Sequence, residues 1–580
     1  MKVLTCLANQ RRFTQLIRSL AVLFVAMLCC SDEAFADVFD LVIRGGEIID
    51  GTGSRRYRAD VAVRDGVIAE IGMLSNSHAH QVVDAAGKLV VPGFIDLHSH
   101  AESGLVSDEP ARRSAPNLIT QGITTVVVNQ DGGGPLDLAE QRKSMERLRV
   151  GLNVIQMVGH GTIRSAVMGD DYRRPATMAE VAQMQQRLRT ALKAGAFGMS
   201  AGLEYDPGRF STPREMEELA RTVAEFAGVY IVHERSSGSR PMWYLPSRDS
   251  DDQPSMMDNL HELIQIADAT NVTTVVTHIK ARGTDYWGSA GRMNELIQRA
   301  RDRGLPLYAD QYAYNTSGSD GRIVLIPSWA TSVSDNKDET KPDEFAKQLE
   351  WVLGDAILAA DVRRDIACEI TRRGGPASIL IVEHIDPQLV GKTLAEYASI
   401  VKLDEVEAVI ALQLKGDRRR RGGARLRAFS MSEQDVEAFA QTPWTATSSD
   451  AGITLLGDGP VHPRFYGAFP RKIRRYSIDR GLMSIEEAVR VSTSLPASIL
   501  KLDDRGVIRR GAVADLVIFD PKRIRDTADE FNPHRYAEGI EYVFVNGQLA
   551  VDHERWIGSL NGWVLTRSGR TPKTGAGNSR

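Results

Sequence analysis

The sequence contains little cysteine, which limits what can cross-link the chain or hold a metal ion. Of its four cysteines, Cys6, Cys29 and Cys30 lie within the first 30 residues, and Cys368 is the fourth. If the N-terminal segment is removed during export, a single thiol remains, which excludes a disulfide within the mature chain. One thiol also cannot supply the ligand set of a metal site, so such a site must be built from other residues.

An excess of charge of one sign is also absent. With 71 basic and 75 acidic residues, the formal net charge is −4, which gives no electrostatic reason to expect a nucleic-acid partner. The basic cluster at Arg418 to Arg421, Arg425 and Arg427 is better interpreted as a solvated loop than as a polyanion site. A length of 580 residues with 42% hydrophobic content favours a globular enzyme with one large barrel and an accessory domain.

Long apolar runs are confined to the N-terminus. Leu20 to Cys30 is an apolar stretch that four basic residues precede and Ala34-Phe35-Ala36 follows. Its length and flanks predict a signal peptide over residues 1–36, a periplasmic or secreted protein and no membrane span in the mature chain. An uncleaved anchor is the alternative, and a lipoprotein formed through Cys29 or Cys30 is a weaker one.

Short strands with tight turns occupy both ends of the chain. Residues 61–63 and 67–71 flank Asp65-Gly66, and residues 542–545 and 548–551 flank Asn546-Gly547. Both turn dipeptides are strong hairpin signals. We expect residues 37–90 and 503–560 to build one small β-sandwich from both chain ends, with residues 561–580 as a flexible tail. Two separate β-modules are the alternative, which the shortness of each stretch disfavours.

Strands and helices alternate between these ends. Thr177-x-x-Glu180 and Thr212-Pro213-Arg214-Glu215 are helix-start signals. Polar residues stand at the C-terminal ends of the β-branched runs. This alternation predicts an α/β fold, a (β/α)₈ TIM-like barrel over residues 91–325 that residues 441–502 complete. Residues 326–440 break the rhythm and predict a mostly helical insertion between late barrel strands, placed to cover the mouth of the active site.

The most informative stretch is the apolar run that ends in His98-Ser99-His100. If Phe94 to His100 is one strand, the two imidazoles project from the same face of its C-terminal end. Four more metal-ligand types follow β-type runs elsewhere, at Asp131, His233, His278 and Asp450. Because the C-terminal strand ends of a barrel converge, these residues would meet. Four imidazoles with two carboxylates suit one or two zinc ions, although any one histidine alone is better explained as a hydrogen-bonded core residue.

These residues stand in motifs that resemble the amidohydrolase superfamily and, within it, the D-aminoacylases (N-acyl-D-amino-acid deacylases). The matching motifs span about residues 40–550, and beyond His98-Ser99-His100 they include segments 122–128, 159–164, 198–205, 233–235, 277–280, 310–314, 449–450, 462–467 and 493–497. The resemblance implies the split β-domain, zinc as cofactor and an N-acyl amino acid as small-molecule partner. The implied reaction is hydrolysis of an N-acyl-D-amino acid to a carboxylate and a D-amino acid.

One position departs from the family. D-aminoacylases typically carry a metal-binding cysteine in a Gly-Asn-Cys-Gly stretch, where this chain has Asn129-Gln130-Asp131-Gly132. Aspartate is an anionic ligand, but its oxygen is harder than a thiolate. The number and identity of the metals, and the transfer of substrate specificity, are therefore left open.

The resemblance, together with position, implies roles for the ligand residues. Asp450 would take the proton from water and return it to the departing amine. His233 and His278 would hold one metal with Asp131. His98 and His100, with Asp450, would hold or be ready to hold a second.

A substrate with a free carboxylate needs a cation. Lys280 and Arg235 each lie two residues after a candidate ligand and would face the same way on a strand, while Arg464 follows the last strand. Tyr205 and Tyr312 match positions that the family uses around its substrate. Ordinary salt-bridged cations and packing aromatics are the alternative interpretations of these residues.

Two other functions stay open at this point. One is a related hydrolase that acts on cyclic amides or on dipeptides containing a D-residue. The other is a binding protein that keeps the barrel without turnover, for which the substitution at Asp131 is the best support. Retention of Asp450 argues against the binding protein, because a non-catalytic relative does not need a proton shuttle. The oligomeric state is not predicted.

Overall fold

The computed structural model of the chain describes residues 38–74, 77–318, 323–331 and 343–567. The predicted signal peptide and residues 568–580 of the predicted tail lie outside this part of the chain. Within it, none of the helices has the length and apolar character needed to cross a membrane.

Twenty-five strands are found in the described residues. They are β1 (Phe39–Arg44), β2 (Glu47–Ile48), β3 (Tyr57–Arg58), β4 (Asp60–Arg64), β5 (Val67–Gly72), β6 (Ala79–Asp84), β7 (Leu89–Pro92), β8 (Phe94–Asp96), β9 (Ser99–His100), β10 (Ile123–Val128), β11 (Asn153–Gln156), β12 (Val158–Gly159), β13 (Gly198–Gly202), β14 (Val229–His233), β15 (Thr273–Val276), β16 (Leu307–Gln311), β17 (Ile379–Glu383), β18 (Arg425–Ala428), β19 (Thr445–Thr447), β20 (Ala451–Gly452), β21 (Leu516–Phe519), β22 (Ile540–Val545), β23 (Gln548–Asp552), β24 (Arg555–Trp556) and β25 (Val564–Leu565).

Helices lie mainly between the parallel strands and between β16 and β19. The α-helices are Glu102–Leu105, Pro110–Arg113, Pro116–Ile119, Leu138–Leu148, His160–Met168, Met178–Lys193, Pro213–Glu225, Met256–Thr270, Ala290–Asp302, Glu344–Leu353, Ala356–Arg372, Leu394–Val401, Glu405–Lys415, Glu433–Ala440, Arg464–Arg471, Ile485–Arg490 and Ser494–Leu500. A π-helix spans Lys472–Asp479, and 3₁₀ turns lie at Gly169–Asp171, Gly208–Phe210, Ser328–Ala330, Pro376–Ser378 and Pro387–Leu389.

The parallel strands close into a TIM-barrel-like ring, as the alternation of elements predicted. One run of pairings joins β8, β10 and β11, and a second joins β12, β13, β14, β15, β16 and β19, all in parallel. Strands β20 and β9 pair in parallel and join the last strand position to the first. Every residue of β10, β13 and β14 is buried, which is expected for strands covered on both faces.

Local capping explains why the barrel helices begin where they do. The helix Met178–Lys193 starts after Thr177, whose side chain and that of Glu180 form the predicted capping box. The helix Pro213–Glu225 starts after Thr212, with proline at its first position and a bond from the amide of Glu215 to the threonine side chain. Its buried apolar residues share one cluster with Tyr230 and Val232 of the strand that follows.

Strands from the two chain ends meet in one mixed sheet. Strand β7 pairs with β21 in antiparallel fashion, Leu89 opposite Phe519 and Pro92 opposite Leu516. The whole sheet has the order β24-β23-β22-β21-β7-β2-β3, and a second sheet has the order β5-β4-β1-β6. Apolar side chains of both sheets share one buried cluster.

The C-terminal stretch differs from the prediction of a flexible tail beginning at residue 561. Strand β25 pairs in parallel with β11, Val154 opposite Val564 and Ile155 opposite Leu565, and Val564 is buried. Two strand residues carry too little periodicity to be recognised in sequence. They form a strand because β11 pairs with β10 along one edge and offers its other edge to β25.

Candidate metal centre

The six predicted ligands converge at the C-terminal ends of the barrel strands. Nε2 of His98 lies 3.3 Å from Nε2 of His100 and 3.6 Å from Oδ1 of Asp131. Oδ1 of Asp450 lies 3.3 Å from Nε2 of His100. Nδ1 of His233 lies 3.0 Å from Nε2 of His278. The residues span more than 350 positions in sequence, and the barrel alone brings them together.

The first histidine pair meets by a route that differs from the prediction. Phe94 to His100 is not one strand, because β8 ends at Asp96 and β9 begins at Ser99. Residues 97 and 98 bend between them, and the amide of His98 donates to Oδ1 of Asp96 at 3.3 Å. The bend leaves both imidazoles directed into the same space.

Asp131 lies at the middle of the four imidazoles. Its Oδ1 is 3.6 Å from His98, 3.7 Å from His233 and 3.8 Å from His278, whereas its Oδ2 is 3.5 Å from His100. Oδ1 is buried and has no hydrogen-bond partner among the described residues. A buried carboxylate oxygen without a donor costs free energy unless a cation satisfies it.

The donor set fits a metal such as zinc. Two groups have ligand atoms that all lie within 4.8 Å of one another, His98 with His100 and Asp450, and His98 with Asp131 and His278. Imidazole nitrogen and carboxylate oxygen are both zinc ligands. Two observations therefore indicate a cation-binding site here: the unpartnered oxygen of Asp131 and the composition of these two groups.

Electrostatics keep the two carboxylates charged and two of the imidazoles neutral. Burial opposes the ionisation of Asp131 and Asp450, but the imidazoles, and Arg464 in the case of Asp450, hold both pKa values well below the usual range. Burial lowers the pKa of His98 well below its ordinary value. Burial and the neighbouring Lys280 lower the pKa of His278 to about 4. Ionised carboxylates and neutral imidazoles are the forms that bind metal.

Glu204 holds His233 and was not identified from the sequence. Its Oε2 accepts from Nε2 of His233 at 3.0 Å, and its Oε1 accepts from Nη2 of Arg282 at 2.9 Å and from the amide of Met242 at 2.5 Å. With Nε2 donating to Glu204, the lone pair of His233 is on Nδ1, which faces the centre. The usable sequence signal was its position, since Glu204 follows the end of β13.

Three of the predicted substrate-binding residues gather beside the centre. Nζ of Lys280 lies 5.6 Å from the ring centroid of Tyr312, and the guanidinium carbon of Arg464 lies 4.5 Å from the same centroid. Nη1 of Arg464 pairs with Oδ2 of Asp450 at 2.9 Å, and Nζ of Lys280 is 2.9 Å from Nδ1 of His278. The hydroxyl of Tyr312 and Nε of Arg464 are buried without hydrogen-bond partners among the described residues.

Tyr205 packs against His233, one of the candidate ligands. Its ring centroid lies 4.4 Å from that of His233, and 37% of the residue is exposed. Burial raises the pKa of its phenol well above 10. The hydroxyl is therefore protonated at neutral pH and can donate a hydrogen bond to a ligand.

Arg235 does not join this group, and its contacts differ from those that its prediction as a substrate-binding residue implied. Its Nε and Nη2 bind the two oxygens of Glu262 at 2.8 and 2.9 Å, and its Nη1 donates to the carbonyl of Ser211 at 2.9 Å. Strand β14 ends at His233, so the alternation of side chains along a strand no longer applies two residues later. The guanidinium instead ties the strand end to the helix Met256–Thr270.

Comparisons with known proteins agree with the motifs. A family model described as the amidohydrolase family matches residues 81–309 and 384–551. A D-aminoacylase of Alcaligenes xylosoxydans xylosoxydans is 31% identical over 553 residues, covering 91% of this chain and 98% of that protein. An N-acyl-D-glutamate deacylase of the same organism is 32% identical over 533 residues, covering 88% of this chain and 93% of that protein.

Solved structures give the same result. The N-acyl-D-glutamate deacylase of Bordetella bronchiseptica, complexed with zinc and a phosphonate mimic of the tetrahedral intermediate, has a TM-score of 0.69 and 31% identity, covering 91% of this chain and 100% of that one. A D-aminoacylase described as having a binuclear metal centre has a TM-score of 0.68 and 30% identity, with the same coverage. A D-hydantoinase at 14% identity and a TM-score of 0.53, covering 91% of this chain and 98% of that one, shares the fold alone. The motif resemblance is confirmed, and the chain belongs to the amidohydrolase family.

Proposed function

We propose that the protein is a zinc-dependent amidohydrolase that cleaves the amide bond of an N-acyl-D-amino acid, releasing a carboxylate and a D-amino acid. The observation that carries this proposal is the placement of a carboxylate-and-imidazole centre directly beside Lys280 and Arg464. Such a site can take an amide at the centre and the free carboxylate of an amino acid at the cations. The relatives of about 31% identity that act on N-acyl-D-amino acids support the same substrate class.

The metal would be held by the residues that converge in the barrel mouth. His233, His278 and Asp131 would hold one ion, and His98, His100 and Asp450 would hold a second, giving one or two per chain. When bound, zinc polarises an amide carbonyl and makes water a stronger acid. The unpartnered Oδ1 of Asp131 supports this arrangement.

Asp450 is the residue that we assign to proton transfer. It would accept a proton as the water oxygen bonds to the carbonyl carbon, and would deliver that proton to the nitrogen as the carbon–nitrogen bond breaks. The amide and water thereby become a carboxylic acid and an amine, and transfer of the acid proton to the amine leaves a carboxylate and an ammonium group. Arg464 contacts the second oxygen of Asp450, so the same guanidinium can orient the base and meet the substrate.

Substrate binding would use the cations and the two tyrosines. Lys280 and Arg464 flank the ring of Tyr312, and a substrate carboxylate between them would receive charge-assisted hydrogen bonds. The free hydroxyl of Tyr312 could donate a third bond. Tyr205, protonated and partly exposed beside His233, would donate to the amide carbonyl oxygen, where negative charge develops.

The remaining features of the chain are proposed with this function. Residues 1–36 would be a signal peptide that directs the enzyme to the periplasm or outside the cell. The two ends of the mature chain would form one β-sandwich, which the pairing of β7 with β21 supports. The helices and the β17–β18 pair between β16 and β19 share their own apolar cluster, which supports an inserted domain over residues 326–440.

A hydrolysis screen tests the proposed activity. N-acetyl derivatives of D- and L-amino acids would be compared with a cyclic amide and with D-dipeptides, and release of free amine would be measured. We expect turnover on N-acyl-D-amino acids, loss of turnover in Asp450→Asn, and retained substrate binding in that variant. Exclusive activity on L-substrates contradicts the stereochemical assignment, and preferential activity on the cyclic amide or D-dipeptides contradicts the linear N-acyl assignment.

A further inference from the structure

Asp310 lies behind the proposed metal centre and accepts hydrogen bonds from the ends of two neighbouring strands, β15 and β19. Its side chain is fully buried at the C-terminal end of β16. It accepts hydrogen bonds from Oγ1 of Thr277 at 2.6 Å, from the amide of His278 at 2.9 Å and from Oγ of Ser448 at 2.6 Å. Thr277 precedes one candidate ligand, and Ser448 lies two residues before another.

The direction of these hydrogen bonds decides which nitrogen of His98 carries a proton. An ionised carboxylate can only accept, so the single hydroxyl proton of Thr277 points to Asp310. The hydroxyl oxygen then serves as acceptor for Nδ1 of His98, which lies 2.6 Å away. His98 must therefore carry its proton on Nδ1, which leaves the lone pair on Nε2.

That lone pair points at the proposed metal position. Nε2 of His98 is 3.3 Å from Nε2 of His100 and 3.6 Å from Oδ1 of Asp131. An imidazole binds metal only through an unprotonated nitrogen. The hydrogen bonds from His98 through Thr277 to Asp310 select one tautomer of His98. Ligation of a metal through Nε2 requires that same tautomer.

We propose that Asp310 is a positioning residue that acts through Thr277 to fix the metal-binding tautomer of His98. It touches neither the substrate nor the metal. The proposal rests on the proposed metal centre but not on the identity of the substrate. Its consequence is that two substitutions of similar size at residue 277 differ in effect: Thr277→Val weakens metal binding, whereas Thr277→Ser does not.

The first test concerns the hydroxyl of residue 277. Thr277→Val keeps the shape of the side chain and removes the acceptor, whereas Thr277→Ser keeps the acceptor and loses a methyl group. Metal-stripped proteins would be titrated with zinc in competition with a chromophoric chelator. We expect Thr277→Val to weaken binding by about 10- to 100-fold, as loss of such supporting contacts typically does, and Thr277→Ser to bind as the wild type does.

The second test reverses the direction of the hydrogen bonds that link residue 310, Thr277 and His98. The backbone N–H of His278 can only donate, so in Asp310→Asn the amide oxygen must stay toward it. The NH₂ group of the new side chain then faces Thr277. The threonine proton is then free for Nδ1 of His98, which favours the tautomer with a proton on Nε2. We expect weaker zinc binding than in Thr277→Val, and we expect the double variant Asp310→Asn/Thr277→Val to bind better than Asp310→Asn alone, because valine cannot pass the proton on.

The outcomes separate this inference from the proposed function. Wild-type protein that binds no zinc overturns both. Wild-type binding with equal affinities for Thr277→Val and wild type, or with Thr277→Ser as weak as Thr277→Val, overturns the tautomer proposal alone. A double variant weaker than Asp310→Asn does the same, because additive loss is what a merely structural role gives. Thermal unfolding of each metal-free variant, compared with metal-free wild type, checks that the proteins are folded before titration.

Discussion

Lys472 is a buried lysine that is not among the proposed metal ligands, and we predict that Lys472→Met makes the stability of the protein less dependent on pH. The residue is 1% exposed, and its Nζ donates to the carbonyl of Ala440 at 3.1 Å. Burial lowers the pKa of its ammonium group from 10.5 to about 7, although Glu487 acts in the opposite direction. Between about pH 7 and 10.5, Lys472 is therefore mostly neutral in the folded protein and mostly protonated in the unfolded chain.

The size of this penalty follows from the two pKa values. Each pH unit below the unfolded pKa costs about 1.4 kcal/mol until the folded group also binds its proton. The cost to the wild type is about 4 kcal/mol at pH 7 and about 2 kcal/mol at pH 9, and it disappears above the unfolded pKa. Methionine removes this cost but leaves the Ala440 carbonyl without its donor, a loss of about 1–3 kcal/mol that is the same at every pH.

Thermal unfolding at pH 7 and pH 9 measures the difference. For a folded chain of about 510 residues the unfolding entropy is about 1.1 kcal/mol per degree, so a change of about 2 kcal/mol corresponds to about 2 °C. We expect the Tm advantage of Lys472→Met over the wild type to be about 2 °C larger at pH 7 than at pH 9. Lys143→Met, at an exposed helical lysine, is the matched control and should show no such trend.

A Tm difference for Lys472→Met that does not change with pH would refute this reasoning. The result also matters for enzymology. A pH–rate profile recorded near the unfolding limit would contain the titration of Lys472 as well as that of the active site. Profiles recorded in Lys472→Met should separate the two.

Three further predictions concern the centre. Removal of metal by a chelator should lower Tm by about 2–3 °C relative to protein with zinc at about 100 times its Kd; an unchanged Tm would argue against a bound ion. Lys280→Met should raise KM at least ~10-fold through loss of a charge-assisted bond, while Arg235→Met should leave KM unchanged and lower Tm, because Glu262 loses its partner; equal effects on KM would contradict this assignment. Asp131→Cys should shift metal preference toward zinc and away from manganese in a competition titration, and an unchanged preference would show that Asp131 is not a ligand.

Local signals predicted the elements of the barrel well. The threonine caps at Thr177 and Thr212 marked helix starts because their hydrogen bonds involve residues three positions apart. The β-branched runs marked strands because β10 and β14 are buried on both faces. Elements that depend on distant partners escaped prediction. Strand β25 exists because part of the edge of β11 is open, which no local sequence reveals.

The candidate site divides in the same way. The convergence of the six candidate ligands followed from strand ends and barrel geometry alone. The contacts of the cations could not be predicted in this way. Arg235 and Lys280 each lie two residues after a histidine, yet Arg235 pairs with Glu262 whereas Lys280 lies beside Tyr312. Glu204 and Asp310 also escaped assignment, since a carboxylate at a strand end can ligate a metal or hold a ligand. Only the partner atoms distinguish these two roles.

The substitution at Asp131 is best understood from the directions of its two oxygens. Oδ1 faces His98, His233 and His278, while Oδ2 faces His100. A thiolate would offer a single atom to the same surroundings, whereas a carboxylate offers two, one toward His100 and one toward the other three imidazoles. Aspartate therefore keeps the negative charge between the two proposed metal positions while replacing a soft ligand by a hard one. This is why the change at Asp131 bears on the choice and number of metals and leaves the proposed proton-transfer role of Asp450 unaffected.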